Sequence, residues 1–196
     1  CLNDAWAFNL KTFAWKCLSR SLRGPRQYAS AALAHRRMYI FGGICDNHFY
    51  GDLHYIEIDT GEVVPVIVEG PSPCPRTSPI FFTNVAQDIL YLWSGYTYDG
   101  SSNDLHEVVN VLDLSMPALQ WQQFHDSFPG RSSASYCLHN DRHYIFGSTK
   151  SNGLLIFSEA TSDFTTITCT GSEPQPDLNH TSMASVDEYI FLIGGE

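Results

Sequence analysis

The sequence predicts an all-β fold in which four-stranded sheets stack radially as the blades of a β-propeller, with about four blade-equivalents in the chain. Three observations predict it. Short apolar strands run into a pair of small residues at intervals of about 47 to 53 residues. Three further landmarks keep step with those pairs. No stretch carries a helical apolar period of useful length.

The pairs are Gly42-Gly43, Ser94-Gly95, Gly147-Ser148 and Gly194-Gly195, following "MYIF", "LYLW", "HYIF" and "YIFLI". The second landmark reads "NDAWAF" from Asn3, "GDLHYI" from Gly51, "NDLHEV" from Asn103 and "NGLLIF" from Asn152. Eleven positions beyond its second residue stand Trp15, Val63 and Phe164, while Trp121 comes six residues late across "DLSMPA". Sixteen residues before the small pair stand Arg26, Arg131 and Leu178; Arg76 is two further away because the "NVAQD" turn is longer.

Each element follows from that register. Residues 1–25 read as the outer half of a blade, and 26–75, 76–130 and 131–176 as whole blades. Residues 177–196 read as an inner half-blade. In the first whole blade the strands are expected near 28–34, 37–43, 52–58 and 63–68, separated by turn-forming Gly, Pro, Asn, Asp and Ser. The chain thus starts and stops between the second and third strands of a blade. Pairing the two half-blades into a four-bladed ring is geometrically conceivable; an open arc would leave sheet edges that invite pairing. Gly42-Gly43 ends a strand and does not cradle a phosphate, because another strand follows where a phosphate loop needs a helix N-terminus.

These landmarks resemble the kelch repeat. The diglycine after a strand, the Asn/Asp-Asp-Leu that follows, the later Trp and the Pro-Arg before the first strand are its marks, and "GPRQYASAALAHRRMYIFGG" holds the Pro-Arg and the diglycine together. The likeness covers nearly the whole chain. Departures are Gly147-Ser148 for the diglycine, Asn152-Gly153 for Asn-Asp, and Leu178 for Arg. The resemblance implies a kelch-type β-propeller that is part of a larger, typically six-bladed ring. It also implies a protein-interaction module, since many relatives present substrates to ubiquitin ligases and others scaffold actin or signalling assemblies. Some kelch proteins are enzymes, so the alternatives are an enzyme acting on a sugar or small metabolite, or a structural subunit of a large assembly.

Composition narrows the classes. A formal charge of −10 argues against nucleic acid, whose phosphates need a basic footprint. Residues 1–37 carry seven Lys/Arg and one acid (+6), and the remainder carries four bases and twenty acids (−16). No run approaches the roughly eighteen apolar residues that cross a bilayer. Cys1 stands where an initiator Met would, which suggests a cut fragment and leaves a removed leader open. The six cysteines have no zinc-ligand spacing, so reduced, mostly buried thiols and a cytoplasmic setting are expected, with secretion left open. The sequon Asn179-His180-Thr181 matters only if the protein is secreted.

No catalytic constellation emerges. His139 and His143 fall in a predicted turn, where the helical spacing of zinc ligands is lost, and His54 and His106 share one repeat position, which reads as architectural. No G-x-S-x-G is present, and no metal or cofactor is expected. Arg26, Arg76 and Arg131 read two ways, as a ring of cations at a pore or as donors to loop carbonyls and carboxylates within the fold. Binding is expected on the face bearing the loops "ICDNHFYG", "YTYDGSS" and "STKSNG", together with "KCLSRSLRGPR", "EGPSPCPR", "FHDSFPGR" and "CTGSEPQPD". The expected partner-contacting residues are Arg20, Arg23, Arg26, His48, Phe49, Tyr50, Arg76, Tyr96, Tyr98 and Arg131. Aromatics beside arginines suit an acidic, phosphorylated or C-terminal-carboxylate peptide; the competing reading has the aromatics packing down over the blade tops.

Overall fold

A computed structural model describes residues 1–98, 103–105, 107–125, 129–147, 153–172, 174 and 178–195, with the backbone alone at 103–105 and 125. Among these residues there are strands and turns and no α-helix. β1 (Ala5–Asn9) and β2 (Ala14–Ser19) form a two-stranded sheet. β3 (Ser30–Ala34) and β4 (Arg37–Phe41) follow, then a small hairpin of β5 (Ile44–Cys45) and β6 (His48–Phe49), then β7 (Leu53–Glu57) and β8 (Val63–Pro65). The four longer strands order as β3-β4-β7-β8, antiparallel throughout.

The same plan returns. β9 (Ile80–Thr83) and β10 (Ile89–Trp93) precede a hairpin of β11 (Tyr96–Tyr98) and β12 (Asn103–Leu105). β13 (Val108–Asp113) and β14 (Trp121–His125) complete a sheet ordered β14-β13-β10-β9. β15 (Ser135–His139), β16 (Arg142–Phe146), β17 (Leu155–Ser158) and β18 (Asp163–Thr166) form the next sheet in sequence order. β19 (Ser182–Val186) and β20 (Tyr189–Ile193) form a closing hairpin. In chain order these are a two-stranded sheet, three four-stranded sheets and a closing two-stranded hairpin, with the small hairpins β5–β6 and β11–β12 set within the first two four-stranded units. Strands expected at 37–43 and 63–68 stop at Phe41, where Gly42 and Gly43 turn to positive φ, and at Pro65, the last residue of β8 and the partner of His54.

The chain divides into two compact units. One comprises Cys1–Thr77, Phe81–Leu90 and Leu112–Trp121; the other comprises Ser78–Ile80, Tyr91–Val111 and Gln122–Glu196. In the first, Phe41 is fully buried and meets Phe81 and Trp121 with ring centroids 6.3 and 6.4 Å away. In the second, Phe157 lies 4.7 Å from Tyr91 and 4.9 Å from Phe164, and Trp93 lies 4.1 Å from Phe164. Three of the four aromatic or apolar residues of the third landmark thus sit on the outer strands β8, β14 and β18, with Trp121 and Phe164 in the cores. Their counterpart on β2, Trp15, is exposed.

The small pairs shape the backbone. Gly42 and Gly43 have φ of +72° and +96°, and a Cβ on Gly42 would run into the Arg76 carbonyl oxygen. That same oxygen accepts from the Gly43 amide at 2.9 Å. The motif recurs where Gly95 N–H donates to the Arg131 carbonyl at 3.1 Å and the Ser94 hydroxyl bonds the same oxygen. At Gly147 the neighbouring carbonyl is that of Leu178, so Leu178 departs from the arginine pattern in its side chain alone.

The cysteines differ from expectation. Cys1 and Cys45 form a disulfide with Cα atoms 6.0 Å apart, and of the four free thiols Cys137 alone is buried, with Cys74 and Cys169 exposed. The cause is tertiary. Bridges Leu2↔Arg26 and Gln27↔Ile44 lay three segments side by side, which brings Cys1 against Cys45 across 44 residues of chain.

Candidate functional site

The first unit holds seven of the expected residues, among them the buried Arg76. Arg26 is held in place by its backbone, whose N–H donates to Leu2 at 2.9 Å. Its guanidinium is buried and its donors are spent. Nε reaches the Gly24 carbonyl, Nη1 the Gly42 carbonyl and Asp52 Oδ1 (2.9 Å), and Nη2 the Arg23 carbonyl and Asp52 Oδ2 (3.2 Å). The Tyr50 ring covers it, with Cζ 4.2 Å from the centroid.

Asp52 is correspondingly saturated. Besides that bidentate pair, His54 Nδ1 lies 3.2 Å from Oδ2, a close approach that does not meet hydrogen-bond geometry. Burial pushes the Asp52 carboxyl up, but the His54 and Arg26 contacts outweigh it and hold the group well below the usual carboxylate range. His54 is fully buried between strands, in keeping with an architectural place. Its repeat partner His106 lies outside the described residues.

Arg76 and Arg131 repeat the buried role with different acceptors. Arg76 Nε donates to the Cys74 carbonyl at 3.0 Å, and its own N–H donates to Tyr50 at 3.1 Å. Arg131 Nη1 donates to the carbonyls of Gly153 (2.9 Å) and Gly147 (3.4 Å). Where Gly153 replaces the aspartate, its backbone oxygen takes over the contact. Burial lowers both guanidinium pKa values to about 10. This placement speaks for the structural of the two readings of the repeated arginines.

What faces outward is different. The Arg23 side chain is 49% exposed, and its Nε reaches Asp52 Oδ2 only at 3.9 Å. Arg20 is exposed and sits 5.7 Å over the Trp6 ring. His48 is exposed and meets the half-buried Tyr50 edge-on at 4.9 Å; Phe49 is half-buried. Tyr50 also packs on Gly24, where a Cβ would come within 2.9 Å of its hydroxyl, so this aromatic packs down on the loop as well as edging the site. In the second unit Tyr96 is half-buried on β11 and Tyr98 is 52% exposed.

Beside Arg23 opens a cleft of about 220 Å³, lined by Gly51, Asp52, Leu53, Pro65–Val68, Ser72 and Trp121. Sequence reasoning missed it. The available signal was "VVPVIV", an apolar run that continues past the proline that ends β8, leaving Ile67 79% exposed. Other expected loop residues, 99–102, 126–128, 148–152, 173 and 175–177, lie outside the described residues.

The histidine pair separates. His139 ends β15 and His143 sits on β16, beyond a turn whose Asn140 and Asp141 have φ of +48° and +59°. His143 is fully buried, with Nδ1 2.9 Å from the Tyr136 hydroxyl and Nε2 2.6 Å from Glu159 Oε1. Burial raises the Tyr136 pKa, which keeps the phenol neutral. No cluster of three metal-ligating side chains occurs among the described residues.

Comparison with known proteins places these features. Residues 1–195 match the KLHDC2/KLHL20/DRC7 Kelch-repeats domain model. The chain is similar to Kelch domain-containing protein 1 of Mus musculus, 23% identical over 98% of this chain and 55% of that protein. It is similar to Acyl-CoA-binding domain-containing protein 5 of Arabidopsis thaliana, 25% identical over 87% of the chain and 28% of the relative. Kelch domain-containing protein 2 of Bos taurus is 32% identical over 45% of the chain and 22% of its own length. The chain therefore spans less than two thirds of each of these relatives.

Proposed function

We propose a function that starts from one fact: the chain belongs to the family of KLHDC2/KLHL20/DRC7 Kelch-repeats domains. Kelch domains generally bind proteins, and this one works as a partner-binding module without chemistry of its own. It captures a protein or peptide through the loops that carry Arg20, Arg23, His48, Phe49 and Tyr50. One observation carries the reading: Arg26 spends its donors on Asp52 and on carbonyls, while Arg23 points an under-used guanidinium outward beside an apolar cleft. Tyr98, exposed on β11, supplies a second contact region.

Within this class the module serves as the substrate-recognition part of a ubiquitin ligase. Its proposed setting is the cytoplasm, supported by the exposed, unbridged Cys74 and Cys169; in that reducing compartment the Cys1–Cys45 pair would stand as two neighbouring thiols, and the bridge would close only under oxidising conditions. Affinity capture from a cell extract tests the reading, using wild type beside Arg23→Glu, Tyr50→Ala and Tyr98→Ala. Ubiquitin-ligase subunits and a discrete partner set are expected with wild type, and Arg23→Glu should lose members of that set. Retention of every partner by all three variants would overturn the reading.

A further inference from the structure

We infer that the cleft beside Arg23 is a subsite for an acidic peptide, taking an apolar side chain against Leu53, Val66, Ile67 and Trp121 and a carboxylate side chain on Arg23. The inference rests on the partner-binding reading and names the partner's chemistry. At about 220 Å³ the cleft is smaller than the roughly 300–1,000 Å³ of cofactor and small-molecule pockets, so it is sized for a side chain. Its lining side chains are apolar apart from Arg23, Asp52 and Ser72.

The charged part of the lining selects the occupant. Asp52 is neutralised by the bidentate Arg26 pair, which leaves Arg23 as the uncompensated charge of that trio. A single half-exposed guanidinium with donors to spare matches a carboxylate. Phosphopeptide sites gather several arginines, and here Arg26 is buried and committed.

The second unit supplies an internal comparison. A cleft lined by Gly153, Leu154, Ile167 and Cys169 occupies the same register, each residue 101 positions after Asp52, Leu53, Val66 and Val68. Its volume is about 110 Å³, and Gly153 stands where the first unit has Asp52. The same register thus opens a cleft in both units, and the one in the first is larger and has Arg23 and Asp52 in its lining.

A library of random seven-residue peptides, displayed between fixed flanking sequences so that no free C-terminus is present, tests the assignment. Selection on wild type should enrich Asp or Glu close to Leu, Ile, Val or Phe. For a selected peptide, Arg23→Glu should weaken Kd about tenfold, and exchanging the peptide's acid for Lys should recover most of the loss. Ile67→Asp, at a highly exposed position, should weaken binding similarly while leaving the preference for an acid intact. Both variants should keep the wild-type Tm. Peptides enriched without the acidic and apolar pair, or unaffected by both substitutions, would overturn the subsite and leave the partner-binding module standing. Selection of peptides through a terminal carboxylate alone, in a second library with free C-termini, would overturn it too. Failure to select any peptide from either library would remove the subsite and the peptide-binding reading together.

Discussion

Arg26 shows how a residue can be conspicuous in sequence and silent at the surface. Its register with Arg76 and Arg131 is readable from spacing alone, but spacing does not say where the donors go. The structure sends them to Asp52, to Gly42 and Gly147 sixteen residues on, and to Gly153 where the aspartate is missing. Removing the cation leaves Asp52 with a partly desolvated charge, with His54 at 3.2 Å and the half-exposed Arg23 at 3.9 Å beside it. Arg26→Leu is therefore expected to cost about 2–4 kcal/mol in urea unfolding at pH 7, the lower end reflecting an Asp52 that is still partly wetted. The linked pH effect has a definite sign. The Asp52 pKa is lower in the folded than in the unfolded state, so its contribution is present above the ordinary carboxylate pKa and is lost as pH falls below it. Wild type should lose stability between pH 5 and pH 2 more steeply than Asp52→Asn, by urea midpoints at each pH. Equal slopes would mean that Asp52 is not held ionised by the fold.

At the scale of elements, strands were more legible than the turns between them. Tyr39, Ile40 and Phe41 are buried in succession, as in a strand covered on both faces, and their apolar run is visible in the sequence. The β5–β6 hairpin was not visible. It has two residues per strand, too few for alternation to register, and turns through Asp46 and Asn47 at φ of +49° and +64° without a glycine. The small pairs were read correctly as backbone devices, but the reason lies in a contact from the next repeat. Because the Arg76 carbonyl fills the space beside Gly42, Gly42→Ala should destabilise by about 2–4 kcal/mol, combining left-handed strain with displacement of that carbonyl. Ser94 already holds φ +62°, with its hydroxyl on the equivalent carbonyl and on the Arg131 N–H, so Ser94→Gly sets relief of left-handed strain against that lost acceptor and should cost about 1 kcal/mol net. Thermal unfolding of the two variants side by side checks the contrast. Comparable losses at both positions would show that the carbonyl contact does not govern the pair.

Across the whole molecule, repetition made the fold class legible because four landmarks keep one register, and a pattern of that length survives degeneracy at any one of them. The cleft and the disulfide were not legible, since both depend on which segments the fold lays side by side. Cys1 meets Cys45 only after Leu2 has paired with Arg26 and Gln27 with Ile44. The bridge fastens the first residues to the hairpin that carries His48 and Phe49, so its effect reaches the candidate site as well as the unfolded chain. Closing 44 residues of chain removes enough unfolded-state freedom to stabilise by about 2–4 kcal/mol. In a chain of this size that corresponds to a Tm lower by about 5–10 °C when the bridge is reduced. Scanning calorimetry with and without dithiothreitol should show that drop in wild type. Cys45→Ser should start from the lower Tm and ignore the reductant, because the remaining thiols are unbridged. A wild-type Tm indifferent to reductant would mean the two sulfurs stand adjacent without holding the chain, and the hairpin would then owe its position to the Gln27–Ile44 pairing and to the Arg76 backbone bonds with Gly43 and Tyr50.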